Sequence, residues 1–146
     1  MATLQDWLRN GWLREHKSSR QEIGELFAVA DRDLSACQTP DLHLDWAFNI
    51  AYNASLQLAT AALAAAGFKA DRSNHHYRVI QSLELTIVAS ETDISTLDAF
   101  RKKRNVSDYE RSDVVSEIEV GEIRALAAKL RRDVEVWIRL KHPELI

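Results

Sequence analysis

Apolar residues recur at three- and four-residue intervals in one run after another, the spacing of a single buried stripe on an α-helix. Leu4, Trp7, Leu8 and Trp12 predict a short lead-in helix over residues 3–13. Ser19-Arg-Gln-Glu22 has the capping-box pattern, in which a hydroxyl and a carboxylate satisfy orphan amides reciprocally. Behind it, Ile23, Leu26, Phe27, Ala30 and Leu34 predict a second helix. Thr39-Pro40-Asp41 stops it, because proline cannot donate and disfavours helical geometry before it. The stretch 43–66 is the most apolar, and Ala47, Ala51, Ala54, Ala61 and Ala62 permit close backbone approach, so it reads as the central helix. Gly67 ends it, since glycine tolerates a left-handed cap, and GFKADRSN follows as a loop. Asn74 is placed to cap a helix over about 75–89 that carries Tyr77, Ile80, Leu83, Leu85 and Ile87. Within it, LELTIVAS has strand-like composition, but a lone strand finds no partner. Asp93 opens a helix over 94–109 and Ser112 another over 113–141, striped by Val115, Ile118, Leu126, Leu130, Val134 and Trp137. The expectation is all-α: one domain, 1–146, an up-and-down bundle of five to six helices without a strand.

Composition agrees. A chain of 146 residues, 46% of them apolar, buries a core without disulfides or metals. Four glycines and two prolines are too few for the turns of an all-β fold. The net charge of −3 lacks the surplus of a non-specific nucleic-acid binder, so any RNA contact has to be a local patch. Cys37 stands alone in an apolar-periodic stretch and reads as a buried thiol. No apolar run approaches the ~20 residues of a membrane span, and no signal core opens the chain, so a cytoplasmic place is expected. His16, His43 and His142 are isolated. His75 and His76 are adjacent, project about 100° apart on a helix, and read as surface or cap residues. No cluster has metal-ligand spacing, and there is neither a Gly-rich phosphate loop nor a nucleophile elbow, so no metal or cofactor is expected. Trp7, Trp12, Trp46 and Trp137 read as core or dimer-interface anchors, and Arg131-Arg132 as a solvated pair.

One stretch departs from this pattern. Arg101-Lys-Lys-Arg-Asn-Val-Ser-Asp-Tyr109 sets four consecutive cations in an acidic chain. Arg101, Arg104, Asn105 and Asp108 share one helical face, in line with Ile94 and Leu97. A stripe that begins as core thus turns polar, which is costly unless the polar groups are paired or used. On one reading, Arg104 and Asp108 form an ion pair while Lys102 and Lys103 are solvated. On the other, the face binds something.

The helix-borne Arg104-Asn105, followed a turn later by a polar residue and Tyr109, resembles the hallmark region of HEPN domains, a family associated with RNA cleavage and toxin–antitoxin pairs. The Trp46-Ala-Phe-Asn-Ile-Ala-Tyr-Asn-Ala and His75-His-Tyr-Arg segments resemble that family's second and third helices. The resemblance implies a HEPN-like bundle and a homodimer whose two motifs form a composite site that cleaves RNA without metal. The family pattern is an arginine, four to six residues and then a histidine. This chain departs from it, because Tyr109 stands five residues after Arg104 and no histidine follows either arginine. The resemblance therefore implies Arg104, Asp108 and Tyr109 as catalytic candidates, with Arg101 and Asn105 holding substrate. An aspartate beside arginine is a weak base, and a tyrosine with a reference pKa near ~10 is another. Two readings stay open: a toxin-like protein binding RNA or nucleotide with weak ribonuclease activity, or a non-enzymatic subunit partnering a nucleotidyltransferase antitoxin and helping it bind nucleotide.

Overall fold

The computed structural model describes residues 2–109 and 115–146, with the side chains of 106–109 outside the description. Among the described residues the chain is a helical bundle: α1 (Leu4–Arg9), α2 (Arg20–Ala36), α3 (Leu44–Ala65), α4 (His75–Gln81), α5 (Glu91–Tyr109) and α6 (Glu117–Lys141). α3 is the central element. It packs along α2 on one side and α6 on another, while α4 and α5 cover a third. Ala51, Ala54, Ala61, Ala62 and Ala64 are all fully buried, so small side chains do let the neighbours close in on α3. Asn53 of α3 donates to the buried Asp33 carboxylate of α2 at 2.7 Å, which fixes the register of that pair.

Two strands interrupt the helices. β1 (Leu13–Glu15) pairs antiparallel with β2 (Phe68–Ala70), aligning Leu13 with Ala70 and Arg14 with Lys69. The expectation of no strand is therefore corrected. Neither segment looks like a strand alone; Leu13 and Ala70 are buried against the end of α3, and pairing satisfies backbone groups that burial cuts off from water. Gly67, at φ 99°, makes the turn from α3 into β2 in a conformation that side chains resist.

Helix ends depart from expectation for identifiable reasons. Ser19 caps α2 by accepting from the Glu22 amide, but the Glu22 carboxylate meets His16 Nε2 at 2.8 Å instead of closing the box. Asn74 adopts a left-handed conformation, φ 53°, and makes no side-chain cap. The helix expected over 75–89 stops at Gln81, passes through a 3₁₀ turn over Ser82–Glu84, and yields to a loop with Val88 at φ 56°. Thr86 turns back to the Ser82 carbonyl at 3.3 Å. Ser90, not Asp93, opens α5, its hydroxyl accepting from the Asp93 amide. Ser116 and Glu119 form the full capping box of α6; Ser112, expected in that role, lies outside the described residues.

Among the tryptophans only Trp7 is fully buried, and Trp46 is 66% exposed, so Trp46 is no core anchor. Trp12 is exposed at its edge and stacks on the Arg78 guanidinium, 3.7 Å from its ring centre. Ile118, expected in the α6 stripe, is exposed. Arg131 is no solvated residue either. It binds Asp31 at 2.7 Å and Glu135 at 2.8 Å and lies over Phe27. Cys37 is buried and free. Among the described residues no helix is long and apolar enough to cross a membrane.

Candidate functional site

α5 enters the bundle as core, with Ile94, Leu97 and Phe100 buried along one stripe. Phe100 meets Phe48 of α3 edge to face, ring centres 5.2 Å apart, a geometry worth ~0.5–1.5 kcal/mol beyond area burial. Immediately beyond Phe100 the stripe turns polar, as the sequence indicates. Arg101 and Arg104 are half-buried, and each faces an aromatic ring from another helix. The Arg101 guanidinium lies 5.5 Å from the Tyr77 ring of α4 and that of Arg104 lies 5.4 Å from the Tyr52 ring of α3. Planar guanidinium groups suit such faces, and the rings hold the forks without consuming all their hydrogen-bond donors. Arg101 Nε also donates to Asp98 Oδ1 at 2.8 Å, an i,i+3 pair that orients it.

The expected residues separate into three groups. Arg101 and Arg104 are brought together, both acting electrostatically on Tyr52 and on His76. Asn105 faces solvent. The side chains of Asp108 and Tyr109, and with them the Arg104–Asp108 pair, lie outside the described residues. Lys102 is exposed beside Asp98 at 3.6 Å, whereas Lys103, expected to be solvated, bonds Glu119 of α6 at 2.6 Å and ties the two helices.

Further polar groups lie on α3 and α4: Tyr52, which the sequence did not single out, and His76, which reads from the sequence as a surface or cap residue. Tyr52 is fully buried, and among the described residues its hydroxyl has no hydrogen-bond partner. Burial pushes this phenol up to about 12; Arg104 and Arg101 oppose the shift and Asp98 adds to it. His76 of α4 stands 6.4 Å from Tyr52, ring centre to ring centre. Its residue is exposed, but partial burial of the ring holds the imidazole below its ordinary value, reinforced by His75, Arg104 and Arg101. The ring is therefore neutral at neutral pH and free to accept a proton. Asn49 and Asp45, one and two turns before Tyr52 on the same face of α3, each hold an Oδ1 that is buried without a hydrogen-bond partner among the described residues. The signal in the sequence was Asp45, Asn49 and Tyr52 at four- and three-residue spacing on the most apolar helix, a polar stripe that the apolar one overshadowed.

Chemically, this junction of α3, α4 and α5 offers two oriented cations and, beside them, a neutral imidazole. That set receives an anion and takes up a proton beside it. Among the described residues no cluster of three His, Cys, Asp or Glu side chains is disposed to hold a metal ion. Comparison of the chain with protein-family models, curated proteins and solved structures finds no match.

Proposed function

We propose that the chain is a HEPN-type, toxin-like protein that binds RNA or a nucleotide by its phosphate in the crevice between α3, α4 and α5. The observation that carries this reading is the convergence of Arg101 and Arg104 on Tyr52 and His76, where an apolar stripe would otherwise continue. The arginines hold phosphate oxygens, and Asp98 keeps Arg101 in position to do so. Asn105, which is exposed, orients the rest of the ligand, a role the proposal extends to Asp108 and Tyr109. His76 occupies the role that the family's motif histidine would fill, arriving from α4 instead of from α5.

In this reading weak, metal-independent cleavage follows ordinary phosphodiester chemistry. His76 accepts the proton of a ribose 2′-hydroxyl, the oxygen attacks phosphorus, and the 5′-oxygen leaves with a proton from water or a neighbouring acid. Arg101 and Arg104 stabilise the charge that gathers on the phosphate. A homodimer pairing two such faces belongs to the same proposal, and sedimentation equilibrium tests it.

The decisive experiment incubates labelled RNA with the wild type, Arg104→Ala and His76→Asn. Wild type cleaves slowly, His76→Asn cleaves ~10²–10⁴-fold more slowly while still binding, and Arg104→Ala loses binding and cleavage together. Equal cleavage by all three removes the crevice from consideration. Binding without cleavage by the wild type favours the non-enzymatic subunit with a nucleotidyltransferase partner.

A further inference from the structure

A second group of cations lies on the β-hairpin side of α4. Arg14 of β1 and Lys69 of β2 are direct cross-strand partners, and both are exposed. Like charges directly opposite each other on a two-stranded ribbon are destabilising, and among the described residues neither forms an ion pair that would relieve this. Arg72, also exposed and outside any ion pair among the described residues, and His75 join them around a cavity of about 300 Å³ floored by Leu63 and Phe68. No carboxylate lines that cavity among the described residues. Two acids adjoin these cations in sequence: Glu15, exposed and outside the cavity lining, and Asp71, which accepts from the Ser73 amide at 3.4 Å. Three exposed cations that form no ion pair among the described residues thus gather around one concavity in a chain of net charge −3, a local basic patch of the kind that draws anions.

The two basic regions are contiguous. The His75 ring of the hairpin cavity lies 5.8 Å, centre to centre, from His76, which faces Arg101 and Arg104. From this placement we infer that the hairpin cavity is a second phosphate subsite for a single-stranded polynucleotide, whose backbone runs from Arg14, Lys69 and Arg72 past the two histidines to the α5 arginines. The inference rests on the crevice reading above and sharpens it: the ligand is a polymer with phosphates to fill both places, not a mononucleotide.

The test measures binding of labelled RNA by fluorescence anisotropy across a salt series, using a dinucleotide and a longer oligouridylate. The proteins are the wild type, the doubly substituted Arg14→Gln/Lys69→Gln, and Arg104→Ala. The double variant removes a repulsion and so folds, which circular dichroism verifies. It binds the longer RNA at least tenfold more weakly than the wild type, with a log–log salt slope shallower by about 1.4 for two lost phosphate contacts, and binds the dinucleotide unchanged. Wild-type affinity and slope for the longer RNA overturn the second subsite; if Arg104→Ala nonetheless loses both RNAs, the crevice reading stands alone. The converse, loss in the double variant with none in Arg104→Ala, keeps the hairpin subsite and removes the crevice. No binding by the wild type removes both. Inorganic phosphate serves as a competitor. If it shifts the His75 ring resonance without displacing the longer RNA, the cavity takes free phosphate and the polynucleotide assignment falls.

Discussion

Replacing Tyr52 by phenylalanine separates what the crevice does for folding from what it does for a ligand. The Tyr52 hydroxyl is enclosed without a hydrogen-bond partner among the described residues, and an unsatisfied buried polar group costs ~1–3 kcal/mol. Phenylalanine keeps the ring beneath Arg104 and deletes only that atom. Allowing for a small void, the variant gains on the order of 1 kcal/mol, a rise of about 2–5 °C in Tm for a chain of this length. Alkali supplies an internal check. A folded-state phenol pushed up to about 12 contributes stability that is complete below the ordinary value of 10.0 and is lost as pH rises through 12. That displacement is equivalent to on the order of 2–3 kcal/mol. Urea unfolding followed by tryptophan fluorescence, at pH 7 and stepwise from pH 10 to 12, measures both effects. Every other titrating group is common to the two proteins, so their difference isolates Tyr52. A variant less stable than wild type at pH 7, or one losing equal stability in alkali, refutes the argument. RNA affinity stays at the wild-type value in Tyr52→Phe, because an enclosed hydroxyl does not reach a ligand and the ring beneath Arg104 is kept.

The remaining predictions concern single groups. His76 is held below its ordinary 6.5, so the unfolded chain takes the proton first on acidification; stability present above 6.5 is lost as pH falls through the folded value, and His76→Asn flattens that stretch of a stability–pH curve. Val88 sits at φ 56° with 79% of its surface exposed, so Val88→Asn relieves a left-handed β-branched residue and raises stability by about 1 kcal/mol in a thermal melt. Arg14→Glu places opposite charges across the β1–β2 pair and raises Tm slightly by calorimetry, while its affinity for longer RNA falls below wild type.

How much of this was legible depended on whether the controlling interactions were local. The stripes of α2, α3 and α6 declared themselves because helical periodicity is a nearest-neighbour property and burial along it is continuous. β1 and β2 did not, because each is three residues long and exists only through a partner more than fifty residues away. The Ser19 box was legible as chemistry but not as outcome, since Glu22 found His16 instead of the backbone. At the site, the face shared by Arg101 and Arg104 followed from spacing alone. Their aromatic platforms did not, because Tyr52 and Tyr77 come from other helices, and nothing in a linear reading of α3 separates a tyrosine that packs from one that also faces a guanidinium.

The break in α4 explains how a histidine from another helix reaches the arginines. Had residues 75–89 formed one helix, its end would lie eight residues, about 12 Å, farther from His76 than Gln81 does. α5 would then start that much farther along, and its second half would pass His76 at a distance. Instead the chain leaves the helix at Gln81, and Val88 accepts a strained backbone as the chain turns into α5. α5 packs directly back against α4, and Phe100 reaches Phe48. That contact sets the depth at which the next turn, Arg101 to Arg104, meets Tyr52 and His76. The strain at Val88 and the Tyr52 phenol, enclosed without a hydrogen-bond partner among the described residues, are thus two costs of one arrangement: a reversal tight enough to bring an imidazole from α4 to a pair of arginines whose helix supplies none.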